Sequence, residues 1–253
     1  MTILQPIGEA GVLEREGRPP IAWRRTIGTG STILFLPGYA SDMAGSKATA
    51  LFDWALGNGR SCVLFDYAGC GQSGGDFANE TLESWRDDAL AVLDDIAPSG
   101  PIILVGSSMG GWLMLLVALA RADRIAALVG IAAAPDFTDW GYSDTQKATL
   151  ERDGRLLEDN PYGPEPTLIT LAFWQAGERN RLLGGPIPLT CPVRLLHGMA
   201  DADVPFNISL TLAERLESQN VRVSLMKNGD HRLSTEADIA LLIQTAADLL
   251  AVL

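Results

Sequence analysis

The sequence predicts an α/β fold with a mostly parallel central sheet flanked by helices. Two observations predict it: short apolar segments of strand length alternate with longer apolar or amphipathic segments of helix length, and glycine or proline separates them. Strands that alternate with helices form parallel sheets, because a parallel pair needs a crossover connection that is usually a helix. The chain has 253 residues, of which 47% are hydrophobic. We therefore predict one domain over residues 1–253 with a large buried core.

The N-terminal part of the chain begins with a hairpin and continues with alternating strands and helices. The hairpin is predicted because two strand-like segments, at residues 12–15 and 21–25, flank a Gly-Arg-Pro-Pro turn. Short apolar runs predict buried strands, and longer segments that end at glycine or proline predict helices. In chain order these elements are a strand at residues 31–36, a helix at 46–56, a strand at 62–65, a helix at 81–97 and a strand at 102–105.

The same alternation continues in the rest of the chain and is interrupted once. A helix at 112–120 and a strand at 125–131 precede a long segment rich in proline, glycine and tryptophan, with helical patches at 143–152 and 167–182. Because this segment is too long for an ordinary loop, we predict a small helical lid inserted at about residues 136–190. The alternation then resumes with a strand at 193–196, a helix at 207–216, a strand at 221–225 and a final helix at 235–253.

The junction between the predicted strand at 102–105 and the helix after it carries the sequence Gly-Ser-Ser-Met-Gly-Gly at residues 106–111. A Gly-x-Ser-x-Gly pattern between a strand and a helix is typical of a nucleophile elbow, where a sharp turn needs small residues on both sides of the serine. Only Ser108 fits this pattern, because Ser107 would need a glycine at the position of Val105. We therefore predict Ser108 as a nucleophile; the alternative is a glycine-rich turn that contains a serine by chance.

A serine nucleophile needs a base that accepts its proton and an acid that orients the base. In hydrolases with this elbow the order along the chain is serine, acid, histidine. The chain contains two histidines. His231 lies in the loop between the last strand and the last helix, and it alone leaves room for an acid at the expected strand end after Ser108. We therefore predict His231 as the base, and we predict a structural role for His197, which ends a strand.

The acid is expected in the loop that follows the strand at residues 193–196. Asp201 and Asp203 both lie there, and Asp201 is favoured because its His-Gly-x-x-Asp spacing is familiar in serine hydrolases with this elbow. Asp203 is then expected to cap the following helix, which is a common role for aspartate. Asp136, which follows the preceding strand, is a weaker alternative acid.

Two backbone N–H groups are needed to stabilise the oxyanion that forms during acyl transfer. The residue after the nucleophile, Met109, is expected to supply one of them, and the loop after the first central strand is expected to supply the other. In that loop Pro37 has no N–H, so Tyr39 is the expected donor and Gly38 is the second choice.

Charge and motif context exclude several other functions. The formal net charge of −12 opposes nucleic acid or an anionic membrane as a partner, since both attract basic surfaces. The glycine-rich loop at 69–75 matches a dinucleotide-binding pattern, but no helix opens directly on its glycines, so we reject a nucleotide cofactor. Phe206 and Leu212 stand where a calcium loop starting at Asp201 needs glycine and glutamate. We expect neither a metal nor an organic cofactor.

Cysteine usage and the N-terminal sequence predict the location of the protein. Cys62, Cys70 and Cys191 show no metal-ligand spacing and no even disulfide set, which fits a reducing compartment. The N-terminus lacks the basic and apolar regions of a secretory signal, and the apolar run at 112–120 is too short to span a bilayer. These observations predict a cytoplasmic protein without a membrane span, and they leave its oligomeric state open.

Five segments together carry a more specific resemblance. They lie at residues 37–43 (Pro-Gly-Tyr-Ala-Ser-Asp-Met), 65–69 (Phe-Asp-Tyr-Ala-Gly), 106–114 (Gly-Ser-Ser-Met-Gly-Gly-Trp-Leu-Met), 191–199 (Cys-Pro-Val-Arg-Leu-Leu-His-Gly-Met) and 230–232 (Asp-His-Arg). The chain resembles the serine hydrolases of the α/β-hydrolase fold. Within that superfamily it is similar to the mitochondrial palmitoyl-protein thioesterases that are also described as mycophenolic acid acyl-glucuronide esterases.

The resemblance implies an α/β-hydrolase fold and esterase or thioesterase activity on a small-molecule or protein-linked acyl substrate. It also implies Ser108 as the nucleophile, with His231 and Asp201 as its partners. The similarity is lowest in the lid, which shapes the acyl pocket. No targeting presequence is recognised at the N-terminus, so we keep the expectation of a cytoplasmic protein of bacterial type.

Two other functions remain compatible with these residues. The same three side chains could hydrolyse an amide, a peptide or a carbon–carbon bond. A non-catalytic homologue that binds an acyl ligand is the other alternative, and the complete set of catalytic and oxyanion motifs disfavours it. Haloalkane dehalogenase and epoxide hydrolase chemistry is opposed by Ser108, since enzymes of that kind with this fold use an aspartate at this position.

Overall fold

The computed structural model describes residues 8–97, 99–161 and 163–253. Within this part of the chain the strands are β1 (Gly8–Arg15), β2 (Arg18–Thr26), β3 (Thr29–Leu36), β4 (Arg60–Phe65), β5 (Ile102–Ser107), β6 (Ile125–Ile131), β7 (Arg155–Glu158), β8 (Thr167–Thr170), β9 (Val193–Gly198) and β10 (Val221–Met226). The helices are α1 (Ser46–Gly57), α2 (Leu82–Asp95), α3 (Met109–Ala120), α4 (Phe137–Trp140), α5 (Asp144–Asp153), α6 (Leu171–Arg179), α7 (Asn207–Arg215) and α8 (Glu236–Val252). None of the helices described here is long and apolar enough to cross a membrane.

One sheet of eight strands, in the order β1-β2-β4-β3-β5-β6-β9-β10, forms the centre of the described structure. The strands from β4 to β10 in this order pair in parallel, and β1 and β2 add an antiparallel hairpin at one edge. The predicted hairpin and the predicted mostly parallel sheet are therefore confirmed. The strand order reverses at β3, because β4 lies on one side of β3 and the next strand along the chain, β5, lies on its other side. In open α/β sheets ligands bind at the carboxyl ends of the strands at such a reversal.

Helices cover both faces of the sheet, because the side chains of each central strand alternate between two apolar layers. In β3, Leu34 and Leu36 face the layer that contains α2 and α3. Ile33 and Phe35 face the opposite layer, which contains α1 and α8. All of α3 except its last two residues is buried, so the helix that follows the predicted elbow lies in the interior of the molecule.

Helices and a short hairpin occupy residues 136–190, where the sequence predicts a helical lid. Helix α5 agrees with the predicted helical patch at 143–152. The patch predicted at 167–182 is wrong in its first turn, because residues 167–170 form β8, which pairs antiparallel with β7, and α6 begins only at Leu171. Each of these strands has four residues, which is too short for periodicity to distinguish a strand from part of a helix. We keep the name lid for residues 136–190.

Polar contacts fix the position of the lid over the sheet. The carboxylate of Asp136, at the start of the lid, accepts hydrogen bonds from the backbone N–H groups of Leu182 at 2.8 Å and Leu183 at 2.7 Å. The guanidinium of Arg179 at the end of α6 pairs with Glu83 of α2 at 2.9 Å. The first of these contacts joins the two ends of the lid, and the second joins the lid to the helix layer beside it.

The turn between β5 and α3 has no space for side chains at its glycines. A Cβ atom on Gly110 would lie 2.1 Å from the backbone oxygen of Leu36, and a Cβ atom on Gly106 would lie 2.3 Å from the backbone oxygen of Gly110. The atoms that would clash belong to the backbone of buried elements, which cannot move aside as the end of a flexible side chain can. Packing therefore requires glycine at these positions of the elbow pattern.

We predict that Gly110→Ala destabilises the fold by at least about 1–3 kcal/mol, because the added methyl group forces buried backbone to shift. The matched control is Gly57→Ala at the end of α1, where a Cβ atom meets nothing within 4 Å. Alanine favours the helix over glycine, so we expect the control to melt at the same temperature as the wild type or slightly above it. Thermal unfolding followed by circular dichroism measures both effects, and equal melting temperatures for the two variants would contradict the packing argument.

Candidate active site

Ser108 lies between the end of β5 and the start of α3 in a backbone conformation that is uncommon for a residue with a side chain. Its φ is 54° and its ψ is −122°, and such a conformation costs about 1–3 kcal/mol. Backbone hydrogen bonds hold it: the N–H of Ser108 donates to the carbonyl of Ile131 at 2.9 Å, and its carbonyl accepts from Gly111 at 2.8 Å and Ala134 at 3.1 Å. The surrounding structure therefore imposes the strained turn that is typical of a nucleophile elbow.

Three predicted site residues from distant parts of the chain form one hydrogen-bonded line. His231 Nε2 lies 3.1 Å from Ser108 Oγ, and His231 Nδ1 lies 2.9 Å from Asp201 Oδ2. Because a carboxylate only accepts hydrogen bonds, we assign the proton of the ring to Nδ1, which leaves Nε2 to accept from the Ser108 hydroxyl. The side chain of Asp201 is fully buried, whereas that of His231 is 16% exposed. An imidazole in this tautomer is ready to take a proton from a serine.

N–H groups around both carboxylate oxygens hold Asp201 in its ionised form. Oδ1 accepts from the backbone N–H groups of Asp203 at 2.9 Å and Val204 at 2.8 Å. Burial raises the pKa of Asp201, but the N–H groups of His197, His231 and Val204 together outweigh burial and hold this pKa well below its usual range. Asp201 therefore remains a carboxylate at neutral pH and stabilises a protonated His231 without taking its proton.

His197 is buried beside Asp201 and does not belong to the line that ends at Ser108. Its Nδ1 lies 2.7 Å from Ser209 Oγ, and its Nε2 lies 2.9 Å from the carbonyl oxygen of Val204. The same Nε2 is 3.3 Å from Asp201 Oδ2, which is a longer and poorer contact than the one to the carbonyl. Both ring nitrogens are thus engaged within the fold, in agreement with the predicted structural role.

The two alternative acids have other surroundings. Asp203 is exposed, and the prediction that it caps the next helix is wrong: α7 begins at Asn207, its N-cap residue is Phe206, and no side chain caps it. The start of α7 agrees with the helix predicted at 207–216, and the helix does not extend back to Asp203 because Pro205 disfavours helical backbone in the residue before it. The carboxylate of Asp136 accepts backbone N–H groups at the end of the lid.

The two predicted oxyanion donors, Met109 and Tyr39, flank Ser108. A Cβ atom on Gly38 would lie 3.5 Å from Ser108 Cβ, so the loop after β3 passes directly beside the serine. Both donors line the same cavity as Ser108. Among the described residues, the turn and loop hydrogen bonds use neither the Met109 N–H nor the Tyr39 N–H. The oxyanion roles of Met109 and Tyr39 stay predictions.

The side chain of Tyr39 connects the loop after β3 to the lid. Its hydroxyl donates a hydrogen bond to the carbonyl of Leu168 in β8 at 2.6 Å. Its ring makes edge contacts with Phe173 of α6, Phe77 and Trp85, at centroid distances of 4.8, 5.3 and 5.5 Å. Burial raises the pKa of Tyr39 well above its usual value, so the hydroxyl stays protonated and remains a donor.

Sequence reasoning missed Asp66, which positions the same loop. Its two carboxylate oxygens accept hydrogen bonds at 2.7 Å from the backbone N–H groups of Met43 and Gln72, and burial raises its pKa although these two bonds oppose the shift. Gly71 has a φ of 50°, and a Cβ atom on it would lie 2.2 Å from the Asp66 carboxylate. The glycine-rich loop at 69–75 is therefore a tight connection. The available signal was an acid directly after the apolar strand β4.

Ser108 and His231 line a cavity of about 550 Å³ between the sheet and the lid, a size typical of small-molecule sites, which hold about 300–1,000 Å³. Its polar wall includes Lys47. Burial and the charge of Arg232 lower the pKa of Lys47 to about 8. The wall also includes Glu158, and burial raises the pKa of its carboxyl group. The apolar part of the wall is formed mainly by Tyr39, Met109, Ala134, Phe137, Trp140, Ile169 and Val204.

One group of side chains in the described part of the chain brings three potential metal ligands within 4.8 Å of one another: Asp201, Asp203 and His231. His231 is already committed, since its Nδ1 donates to Asp201 and its Nε2 faces Ser108. A cation would have to displace one of these contacts and, at Nδ1, the proton as well. The arrangement therefore suits proton transfer better than metal binding.

Comparisons with known proteins show the family and the fold of the chain. Residues 29–173 match the family model Hydrolase_4, described as serine aminopeptidase, S33. The mouse palmitoyl-protein thioesterase ABHD10, mitochondrial, is 45% identical over 94% of this chain and 81% of its own length. The solved structure of mouse alpha/beta hydrolase domain-containing protein 10 has a TM-score of 0.89 at 43% identity, over 95% of this chain and 98% of that one. A putative hydrolase from Agrobacterium vitis S4 has the same TM-score at 37% identity, over 97% and 99%.

The parallel sheet, the elbow at its carboxyl edge and these matches define an α/β-hydrolase, so the predicted fold class is confirmed. Within this class the chain belongs to the family of the palmitoyl-protein thioesterase ABHD10. The prediction of a serine hydrolase acting on acyl esters or thioesters is confirmed at the level of the family, whose curated members are named as thioesterases.

The prediction of a cytoplasmic protein is wrong by the same comparison. Five curated relatives, from mouse, Pongo abelii, human, rat and cattle, are named as mitochondrial proteins. The observations behind the prediction do not separate the two compartments. Unpaired cysteines fit any reducing compartment, and the features of a secretory signal differ from those of the segments that direct proteins to mitochondria.

We predict that Asp201 stabilises the fold in a pH-dependent way. Its pKa is lower in the folded state than in the unfolded chain, where aspartate titrates near about 3.9. The stabilisation is therefore complete above this value and is lost as the pH falls towards the folded-state pKa. The difference in the free energy of unfolding between the wild type and Asp201→Asn should be largest above about pH 5 and should shrink on acidification.

Urea unfolding at a series of pH values measures this difference. The control is Asp203→Asn on the same loop, an exposed position where a substitution typically changes stability by less than about 0.5 kcal/mol. A difference between the wild type and Asp201→Asn that stays constant from pH 7 to pH 3 would contradict the prediction.

Proposed function

We propose that the chain hydrolyses acyl thioesters and esters through an acyl-enzyme on Ser108. One observation carries the proposal: Ser108 Oγ, the His231 ring and the Asp201 carboxylate form a continuous line, with contacts of 3.1 and 2.9 Å, at the wall of a cavity covered by the lid. A serine hydroxyl is a weak nucleophile at neutral pH, and this line supplies both the base and the orienting acid that activate it.

In the first half of the reaction, Ser108 Oγ attacks the carbonyl carbon of the bound acyl group, and its proton moves to His231 Nε2. The carbonyl oxygen becomes an oxyanion that accepts hydrogen bonds from the Met109 and Tyr39 N–H groups. The bond to the leaving sulfur or oxygen then breaks, and this atom takes the proton from His231 Nε2. The acyl group remains attached to Ser108 as an ester.

In the second half, a water molecule takes the position that the leaving group has vacated. His231 Nε2 removes one proton from the water while the water oxygen attacks the carbonyl carbon of the acyl-enzyme. The second tetrahedral intermediate uses the same two N–H donors. Its collapse breaks the bond to Ser108 Oγ, which recovers its proton from His231 and releases a carboxylic acid.

Electrostatic stabilisation accounts for a large part of the expected rate enhancement. One oxyanion donor typically contributes about 2.7–4 kcal/mol to the stability of the transition state. Asp201 stabilises a second charge, the positive charge that the His231 ring carries after it has accepted the serine proton. The Asp201 carboxylate lies 2.9 Å from His231 Nδ1, which stays protonated throughout. The low pKa of Asp201 fits this role, since the carboxylate keeps its charge while the ring is protonated.

The cavity suggests the substrate class. Phe137, Trp140 and Val204 offer apolar surface that suits an acyl chain, and Lys47 and Arg232 add positive charge near His231 that suits a polar leaving group. The curated relatives are named as palmitoyl-protein thioesterases. We therefore propose a long-chain acyl group on a cysteine thiol as the substrate, with small-molecule acyl esters as the alternative.

A second candidate function is amide hydrolysis. The matched family model is described as a serine aminopeptidase, and the same three side chains can protonate an amine leaving group through His231. An amide is intrinsically less reactive than a thioester, so this activity would need positioning by the cavity that a thioesterase does not need.

We predict that Ser108→Ala lowers kcat by about 10⁶-fold, because the loss of a triad nucleophile leaves only the binding and oxyanion contributions. The matched control is Ser107→Ala, which removes the neighbouring hydroxyl from the same strand end and should retain most of the activity. Turnover of p-nitrophenyl butyrate and labelling by a fluorophosphonate probe give two independent readouts. Wild-type turnover by Ser108→Ala, or probe labelling of that variant, would overturn the assignment of the nucleophile.

A matched panel identifies the bond that is cleaved. The substrates are one peptide carrying palmitate on cysteine as a thioester, on serine as an ester and on lysine as an amide, together with a palmitoyl ester of a small alcohol. We expect the highest kcat/KM for the cysteine thioester. A higher kcat/KM for the amide would favour the aminopeptidase function, and a higher value for the small ester would favour a small-molecule substrate.

A further inference from the structure

We propose that His197 is a positioning residue for this reaction, which holds Asp201 in the orientation where Oδ2 faces His231. The side chain of His197 is fully buried at the end of β9, and its two ring nitrogens contact Ser209 and Val204. The proposal rests on the proposed function, because His197 acts only through Asp201.

The partners of His197 determine its tautomer. The carbonyl oxygen of Val204 can only accept a hydrogen bond, so Nε2 carries the proton and donates it across 2.9 Å. Nδ1 is then an acceptor, and the Ser209 hydroxyl donates to it across 2.7 Å. With both nitrogens engaged, the ring has one orientation, and its N–H points towards the turn that holds Asp201.

Val204 transmits the effect of His197 to Asp201. Its carbonyl accepts from His197, while its N–H donates to Asp201 Oδ1 at 2.8 Å. His197 Nε2 also lies 3.3 Å from Asp201 Oδ2, a contact that is longer than a good hydrogen bond but places the N–H dipole where it stabilises the negative charge. The N–H of His197 therefore fixes the backbone of Val204, which binds Asp201 Oδ1, and it adds positive potential at Asp201 Oδ2.

The charged and titratable groups around Asp201 explain why such support matters. His197 faces Asp201 from β9, and His231 faces it from the loop before α8. The exposed Asp203 lies on the same loop as Asp201, and its carboxylate comes within 4.8 Å of both the Asp201 carboxylate and the His231 ring. The negative charge of Asp203 opposes that of Asp201, so the N–H groups must hold the buried carboxylate in place. A displacement of about 1 Å in a catalytic group can cost about 10²-fold in rate.

Two substitutions of His197 separate its donor from its bulk. In His197→Asn the short amide can reach Ser209 but not the Val204 carbonyl, whereas in His197→Gln the longer amide places an N–H group near the former Nε2. We expect His197→Asn to lower kcat by about 10- to 100-fold, as the loss of a residue that orients a catalytic group typically does, with KM within about twofold. His197→Gln should recover kcat to within about threefold of the wild type.

A double-mutant cycle with Asp201→Ala tests whether His197 works through Asp201. If it does, His197→Asn lowers kcat further by less than about twofold once the carboxylate is gone, because residues that act as a unit are not additive. The same factor in both backgrounds, or equal losses in His197→Asn and His197→Gln, would overturn the proposal. Wild-type turnover by Asp201→Ala would instead overturn the proposed function itself, so the two failures are distinguishable.

Two further variants control for folding. Thr26→Val removes a buried hydroxyl that donates to the carbonyl of Arg60 at 2.7 Å, away from the cavity lining; it should lower the melting temperature and leave kcat unchanged. Ser209→Ala removes the partner of Nδ1 and should lower kcat by about 2- to 10-fold, the value of one hydrogen bond. If His197→Asn does not fold, Ser209→Ala in the same cycle decides the proposal: an additive loss, or a loss matched by Thr26→Val, overturns it.

Discussion

The close approach of β3, β5 and α3 is the constraint on which the rest of the structure depends. Gly110 at the start of α3 leaves no space for a side chain against the backbone of Leu36, and Gly106 leaves none against Gly110. Because α3 begins in contact with the ends of two strands, the residue between strand and helix must turn with a positive φ. Ser108 occupies that turn at a φ of 54°. Its strain is therefore a consequence of packing, and the buried helix α3 supplies the contacts that offset it.

A second constraint is the free-energy cost of burying the negative charge of Asp201 near this turn. A buried carboxylate is unfavourable unless hydrogen bonds replace the water it has lost. The turn at residues 201–204 meets this requirement with two backbone N–H groups on Oδ1 of Asp201, while the two histidines of the chain approach Oδ2. The two histidines thus have different surroundings: His231 faces the cavity, and His197 is closed off from it. A single carboxylate links the interior of the fold to the proposed base.

The features that were predictable from the sequence are those with a local signal. The central strands β3, β4, β5 and β6 contain continuous apolar runs, and Ser108 lies in a pattern that a strand and a helix must flank. The hairpin of β7 and β8 was not predictable, because four-residue strands carry no clear period. Asp66 accepts from Met43, which belongs to a different loop, and the partners of His197 are set by how the loop after β9 folds back on the strand, so neither has a periodic signal in the sequence. The wrong prediction that Asp203 caps α7 did have a local signal against it in Pro205, which disfavours helical backbone in the residue before it and keeps the helix from starting directly after Asp203.

The lid is tied to the proposed chemistry through one residue. Tyr39 is the proposed second oxyanion donor, while its hydroxyl is hydrogen-bonded at 2.6 Å to the carbonyl of Leu168 and its ring packs against Phe173, both in the lid. A movement of β8 away from the sheet would leave that carbonyl without its donor, unless the loop that carries Tyr39 moved as well. The lid also forms much of the cavity wall. On the proposed mechanism, an acyl group that fits the cavity with the lid in this position meets both proposed oxyanion donors, whereas one that displaces the lid also disturbs the proposed donor Tyr39.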